Sequence, residues 1–150
     1  MATIHALRRP AGRQQSVLLV DDFADARQMY AEYLRRSEFR PIEAGHTVEA
    51  LARVHEADLI VTGIRVRGPF DGLELVRRVR AEDGPRRTPI IVLSADALEP
   101  APSLARKAGC DVFLTKPCLP GVLVQQIRAL LAWAAPARAA SSAGTDGRSR

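Results

Sequence analysis

The sequence predicts a doubly wound α/β domain in three layers, a parallel sheet with helices on both faces. Short apolar runs alternate with longer amphipathic stretches, giving five β-α units within residues 16–133. The runs Val17-Leu-Leu-Val20, Leu59-Ile-Val61 and Ile90-Ile-Val-Leu93 are continuously apolar rather than alternating, the mark of strands covered on both faces. The stretches between them are long enough for helical crossovers, which parallel neighbours require.

The elements follow in order. Residues 17–20 form the first strand and lead into Asp21-Asp22; residues 24–37 follow as a helix with Met29, Tyr30, Tyr33 and Leu34 on one stripe. Residues 40–44 make a weak strand of the kind found at a sheet edge, and Val48, Leu51, Ala52 and His55 give 47–56 helical spacing. Residues 59–62 are a buried strand, and Leu73, Val76, Arg77, Val79 and Arg80 repeat at helical spacing over 71–82. Residues 89–94 carry the strongest strand signal, and 100–108 form a short helix whose first turn Pro100 and Pro102 restrain. Residues 112–114 are the fifth strand and 119–133 the last helix.

A chain of 150 residues with 47% apolar and 26% charged side chains bounds this to one globular domain with a real core. Residues 134–150 are rich in Ala, Ser and Gly and lack large apolar side chains, so a disordered tail is expected there; 1–15 read as a disordered basic tail. The net charge of +5 sits on these ends, because residues 16–133 hold as many acidic as basic groups. A nucleic-acid partner is therefore not expected, since such domains carry the basic face on the folded part. No apolar run approaches a membrane span, no signal peptide is visible, and Cys110 and Cys118 form no C-x-x-C pair, so a cytoplasmic protein is expected.

In such a sheet function gathers outside the carboxyl ends of the strands. Those ends carry Asp21 and Asp22, then Gly63, Ser94 and Lys116-Pro117. Paired carboxylates suit a hard cation such as Mg²⁺, while a hydroxyl and an ammonium suit phosphoryl oxygens. Neither glycine-rich phosphate loop is present. A phosphatase pattern with a second Asp two residues after the first fails at Phe23, and His5, His46 and His55 read as surface or half-buried structural residues.

Val17-Leu-Leu-Val-Asp-Asp22, Asp58-Leu-Ile-Val-Thr62 running to Asp71-Gly72-Leu73-Glu74-Leu75, Pro89-Ile-Ile-Val-Leu-Ser-Ala95 and Gly109-Cys-Asp-Val-Phe-Leu-Thr-Lys-Pro117 together resemble a CheY-like response-regulator receiver domain. The resemblance covers residues 16–133 and implies a flavodoxin-like five-stranded sheet of order 2-1-3-4-5. It implies two-component phosphorelay signalling, with a sensor histidine kinase or another signalling protein as partner and no enzyme activity expected of this chain. It implies that Asp21 and Asp22 are the acid pair, Asp22 the direct Mg²⁺ ligand, with the Arg65 carbonyl beside it. Ser94 becomes the switch hydroxyl, Lys116 the phosphoryl-pocket lysine before a cis-proline, and Phe113 the switch aromatic. The implied output surface is formed by the fourth helix, fifth strand and fifth helix.

The chain departs from the family where the phospho-acceptor Asp is expected, because that position is Gly63. The following loop also differs: Arg67 stands in place of a proline, and the loop is one residue longer than the common form. Gly63 supplies no nucleophile. The expectation is a non-phosphorylatable pseudo-receiver that acts by protein–protein interaction and holds Mg²⁺ only weakly. The alternatives are a phosphorylatable receiver whose Asp has been substituted, or transfer to another residue such as Thr62. Structural readings stand beside these roles: Asp22 as a helix cap, Ser94 as an ordinary strand-end hydroxyl, Phe113 as core, and Lys116 as an internal ion-pair partner.

Overall fold

The computed structural model describes residues 13–84 and 87–145, with side chains described as far as residue 134. Five strands, β1 (Ser16–Val20), β2 (Arg40–Ala44), β3 (Leu59–Thr62), β4 (Ile90–Ser94) and β5 (Val112–Thr115), form one sheet of order β2-β1-β3-β4-β5. Every pairing is parallel. The helices are α1 (Ala24–Arg36), α2 (Thr47–Arg53), α3 (Gly72–Asp83), α4 (Ala101–Ala108) and α5 (Pro120–Thr145).

Continuous apolarity in the strands has its reason in the two cores. Leu18, Val20, Ile60 and Val92 pack with Ala50 of α2, Val76 and Val79 of α3 and Ala105 of α4. Their chain neighbours Val17, Leu19, Val61 and Ile91 point the other way, onto Tyr30 and Leu34 of α1 and Leu123 and Ile127 of α5. Each such side chain removed from water contributes about 1.5–3 kcal/mol, so strands between two helical layers gain from apolar residues at every position. β2 has one neighbour only, and its Arg40, Pro41 and Glu43 stay partly exposed. That edge position explains its weak pattern and tolerates its proline.

Three boundaries differ from the sequence expectation. The helix expected over 47–56 closes early as a tight turn, Val54–Glu56, with the Ala57 amide donating to the Val54 carbonyl at 3.1 Å. Part of the expected N-terminal tail belongs to the body: Arg13 Nη2 donates to Asp58 Oδ1 at 2.8 Å, and the Arg40 amide to the Gln15 carbonyl at 2.9 Å. Asp58 is buried and accepts the Ser16 amide on Oδ2 at 2.8 Å, so a single carboxylate ties the start of β1 to the start of β3. The remainder of that tail, residues 1–12, lies outside the described residues. At the other end the backbone of α5 continues as helix past Trp133 to Thr145, through a segment that composition assigns to a tail. Alanine is the strongest helix former, and backbone propensity needs no core to bury. Residues 146–150 lie outside the described residues.

The amino-terminal ends of β4 and β5 are fastened to α3 by one guanidinium. Arg80 Nε donates to the Gly109 carbonyl (2.8 Å), Nη1 to the Thr88 carbonyl (2.6 Å) and Asp83 Oδ2 (2.7 Å), and Nη2 to Asp111 Oδ2 (2.9 Å). Gly109 ends α4 at φ +119°, and a Cβ there would meet Arg80 Cγ at 2.8 Å, so this position needs glycine twice over. The side chains of Arg80, Asp83 and Asp111 are 14%, 11% and 14% exposed, which keeps water from replacing the cation. Arg80→Met should therefore lower unfolding free energy in urea by about 3–5 kcal/mol. A loss below about 1 kcal/mol would show these pairs to be freely solvated.

Candidate functional site

The carboxyl ends of β1, β3, β4 and β5 open on a cleft of about 770 Å³ that includes Asp21, Asp22, Gly63, Arg65, Ser94 and Lys116 in its lining. The fold thus brings together every residue proposed from the strand ends. Phe113 lies apart, half-buried in β5 beside Val92 and packed on the α2–α4 side of the sheet.

Asp21 and Asp22 have different jobs. Asp21 Oδ2 accepts from Lys116 Nζ at 2.8 Å, and its Oδ1 accepts the Phe23 amide at 2.9 Å. Both oxygens are already engaged, and Lys116 pairs with this carboxylate rather than with both. Asp22, expected to cap α1 on the structural reading, does not: that helix has no side-chain cap, and the local turn is held by Asp21 instead. Among the described residues Asp22 has no hydrogen-bond or ion-pair partner, and it is half-buried on the cleft wall.

The loop that carries these acids is clamped by Arg27 of α1. Its Nη1 donates to the Asp21 carbonyl at 2.7 Å and its Nε to Glu43 Oε1 at 3.1 Å, with the side chain 17% exposed. Sequence reading took this stretch only for its amphipathic stripe and missed the clamp; the polar break that Arg27 makes beside Tyr30 was the available signal. From the same helix Tyr30 donates its hydroxyl to the Cys118 carbonyl at 2.7 Å, fixing the Lys116-Pro117-Cys118 turn, whose Lys116–Pro117 bond is cis. Burial, reinforced by Cys118 and Asp21, raises the Tyr30 phenol above its ordinary value.

Ser94 is buried at the end of β4, and its Oγ accepts the Asp96 amide at 3.0 Å. The Lys116 amide donates to the Ser94 carbonyl at 2.8 Å, so hydroxyl and ammonium ride on paired strands. Gly63 follows β3 with its amide donated to the Val20 carbonyl at 3.0 Å. A Cβ added there would meet Val66 Cγ2 at 3.5 Å and the Leu93 carbonyl at 3.7 Å, ordinary contacts that leave room for a side chain. Nine residues on, Gly72 has no such room: a Cβ there would run into the Gly63 carbonyl. Asp71 caps α3 through the Glu74 amide at 2.9 Å. Thr62 is fully buried and donates its hydroxyl to the Gly63 carbonyl at 2.9 Å, which turns it away from solvent.

Asp22, Asp21 and the Arg65 carbonyl would be the donors for a divalent cation. Among the described residues no group of three His, Cys, Asp or Glu is placed to hold a metal. Mg²⁺ keeps several waters and needs only one or two carboxylates, so this donor set fits it with one anionic ligand fewer than a three-carboxylate site. Among the described residues no helix is long and apolar enough to cross a membrane.

Comparison with known proteins points one way. A family model described as the response regulator receiver domain matches residues 17–128. The transcriptional regulatory protein ResD of Bacillus subtilis is 35% identical over 120 residues, covering 79% of this chain and 48% of ResD. The polar-differentiation response regulator DivK of Brucella anthropi is 27% identical over 119 residues, covering 78% of this chain and 96% of DivK. The chain thus spans about half of ResD and nearly all of DivK. Among solved structures, the chemotaxis protein CheY4 of Vibrio cholerae superposes with a TM-score of 0.72 at 26% identity, covering 79% of this chain and 99% of CheY4. The receiver domain of Francisella response regulator 1452 gives 0.72 at 26%, covering 79% and 97%.

The clamp gives a test of its own. Arg27→Ala leaves the Asp21 carbonyl and Glu43 without their donor, and should lower stability by about 1–3 kcal/mol in urea denaturation. An unchanged midpoint would show that the acid-bearing loop is held by other contacts.

Proposed function

The chain belongs to the response regulator receiver domain family of two-component signalling, and from that premise we propose that it signals by protein–protein interaction without taking up a phosphoryl group. It is not itself an enzyme on this reading, and it works in the cytoplasm with a sensor histidine kinase or another signalling protein. One observation carries the proposal: the residue that closes β3 in the cleft is Gly63, which has no nucleophile. The nearest hydroxyl, that of Thr62, is buried and bonded to the Gly63 carbonyl.

Receiver domains bind Mg²⁺ at the acceptor site, and when bound the cation neutralises charge among the carboxylates and phosphoryl oxygens. In this chain Asp22 is the direct ligand and Asp21 its neighbour. One charged contact fewer weakens Mg²⁺ by about 1–3 kcal/mol, roughly 5- to 150-fold. Ser94, Lys116 and Phe113 keep their positions, and with no covalent ligand the switch they form rests in one arrangement. The output surface is the α4–β5–α5 face, next to which Leu98 and Leu104 stand 78% and 42% exposed.

A second reading has its own support. Because a Cβ at residue 63 meets only ordinary contacts, the site still accommodates the acceptor of a phosphorylatable parent. Incubation with acetyl phosphate and Mg²⁺ followed by intact-mass measurement tests both. The chain as it stands should keep its mass, while Gly63→Asp should gain one phosphoryl group. A phosphoryl adduct on the unaltered chain would overturn the proposal, and a folded Gly63→Asp that stays unmodified would show the site lost beyond residue 63.

A further inference from the structure

Resting on the reading that Gly63 stands at the acceptor position, we propose that the cleft takes a carboxylate from outside the chain, bound together with Mg²⁺ in the space that residue 63 leaves open. The inventory of acids leads there. Asp21 is engaged by Lys116 and the Phe23 amide, Asp71 by the Glu74 amide and Asp96 by the Leu98 amide. Asp22 alone on that wall is uncommitted, so a hard cation in the cleft meets one free carboxylate, a carbonyl and water. A second anionic oxygen is what the cation lacks.

Charge decides the order in which the ligands come. The lining holds Asp21, Asp22, Asp71 and Asp96 against Arg65 and Lys116, a formal charge of −2 that repels a bare anion. One Mg²⁺ cancels it, and a monoanion then joins a neutral site. Cation and carboxylate therefore raise each other's affinity by the same factor, as linkage demands.

Space and partners match a small carboxylate. The void begins where a Cβ on Gly63 would sit, with the nearest atoms at 3.5, 3.7 and 3.9 Å, and continues into the 770 Å³ cleft. Ser94 Oγ accepts the Asp96 amide and so keeps its own proton to donate. Arg65 is among the lining residues, and its guanidinium, among the described residues, has no ion-pair partner. Pro100, Ala101 and Leu104 form an apolar wall that accepts a short alkyl chain. The ligand class is a small carboxylate, either free or presented by an acidic side chain of a partner.

Isothermal titration of Mg²⁺ into the intact chain tests this, in potassium chloride, in potassium acetate of equal ionic strength, and with a blocked aspartyl tripeptide. Acetate should raise Mg²⁺ affinity by a factor within the 5- to 150-fold range of such couplings. A response to the peptide alone assigns the carboxylate to a partner's side chain. Gly63→Asp should bind Mg²⁺ more tightly in chloride and show no response to either, because its own carboxylate fills the space. If the unaltered chain ignores both, or Gly63→Asp responds equally, the proposal fails. If Gly63→Asp gains no Mg²⁺ affinity in chloride, it is the assignment of residue 63 to the acceptor position that fails instead.

Discussion

Lys116 Nζ lies 2.8 Å from Asp21 Oδ2, and that contact joins the end of β1 to the end of β5 across the mouth of the cleft. The side chains are 27% and 19% exposed, sheltered enough for the pair to persist and open enough to avoid the full cost of burying charge. With Gly63 between them in the sheet, no third carboxylate competes for the ammonium. The same Asp21 holds the Phe23 amide, and Arg27 holds the Asp21 carbonyl. Lys116 is placed in turn by its amide bond to Ser94 and by Tyr30 gripping the Cys118 carbonyl. Asp21, Lys116 and Ser94 are therefore held by protein partners without any added ligand, while Asp22 is left uncommitted among the described residues.

That self-sufficiency bears on signalling. A ligand shifts a conformational equilibrium only by its differential affinity for the two states. A phosphoryl group covalently held at the end of β3 would reach Ser94 and Lys116 at once. On the proposed reading, Gly63 supplies no nucleophile, that bias is missing, and the balance is left to the sequence and to whatever binds noncovalently. Phe113 has no hydroxyl with which to mark an inward or outward position. Its neighbours are fixed by strand pairing, Val92 beside it and Ser94 beside Thr115.

The sheet was legible because each strand lies between two helical layers, so its composition alone marks it; β2 was faint because it has one neighbour. The strand-end residues were legible because parallel topology brings every carboxyl end to one rim. What the sequence did not disclose were contacts between elements distant along the chain. Arg27 with Glu43, Arg80 with Asp111 and Arg13 with Asp58 are ordinary charged residues until folding places them. The contacts that separate Asp21 from Asp22 were hidden for the same reason, since the position of Lys116 and the turn at Phe23 distinguish two adjacent acids. The backbone of α5 runs on to Thr145 through an alanine-rich segment, and alanine needs no burial to be helical.

Amide NMR spectra of the chain in Mg²⁺, with and without beryllofluoride, test most directly whether the conformation is independent of phosphoryl chemistry. Beryllofluoride mimics a phosphoryl group only where a carboxylate can hold it. The spectra should overlay across residues 95–107 and around Phe113. Large shifts confined to that face would mean that the switch still answers to phosphoryl chemistry, and would contradict this account.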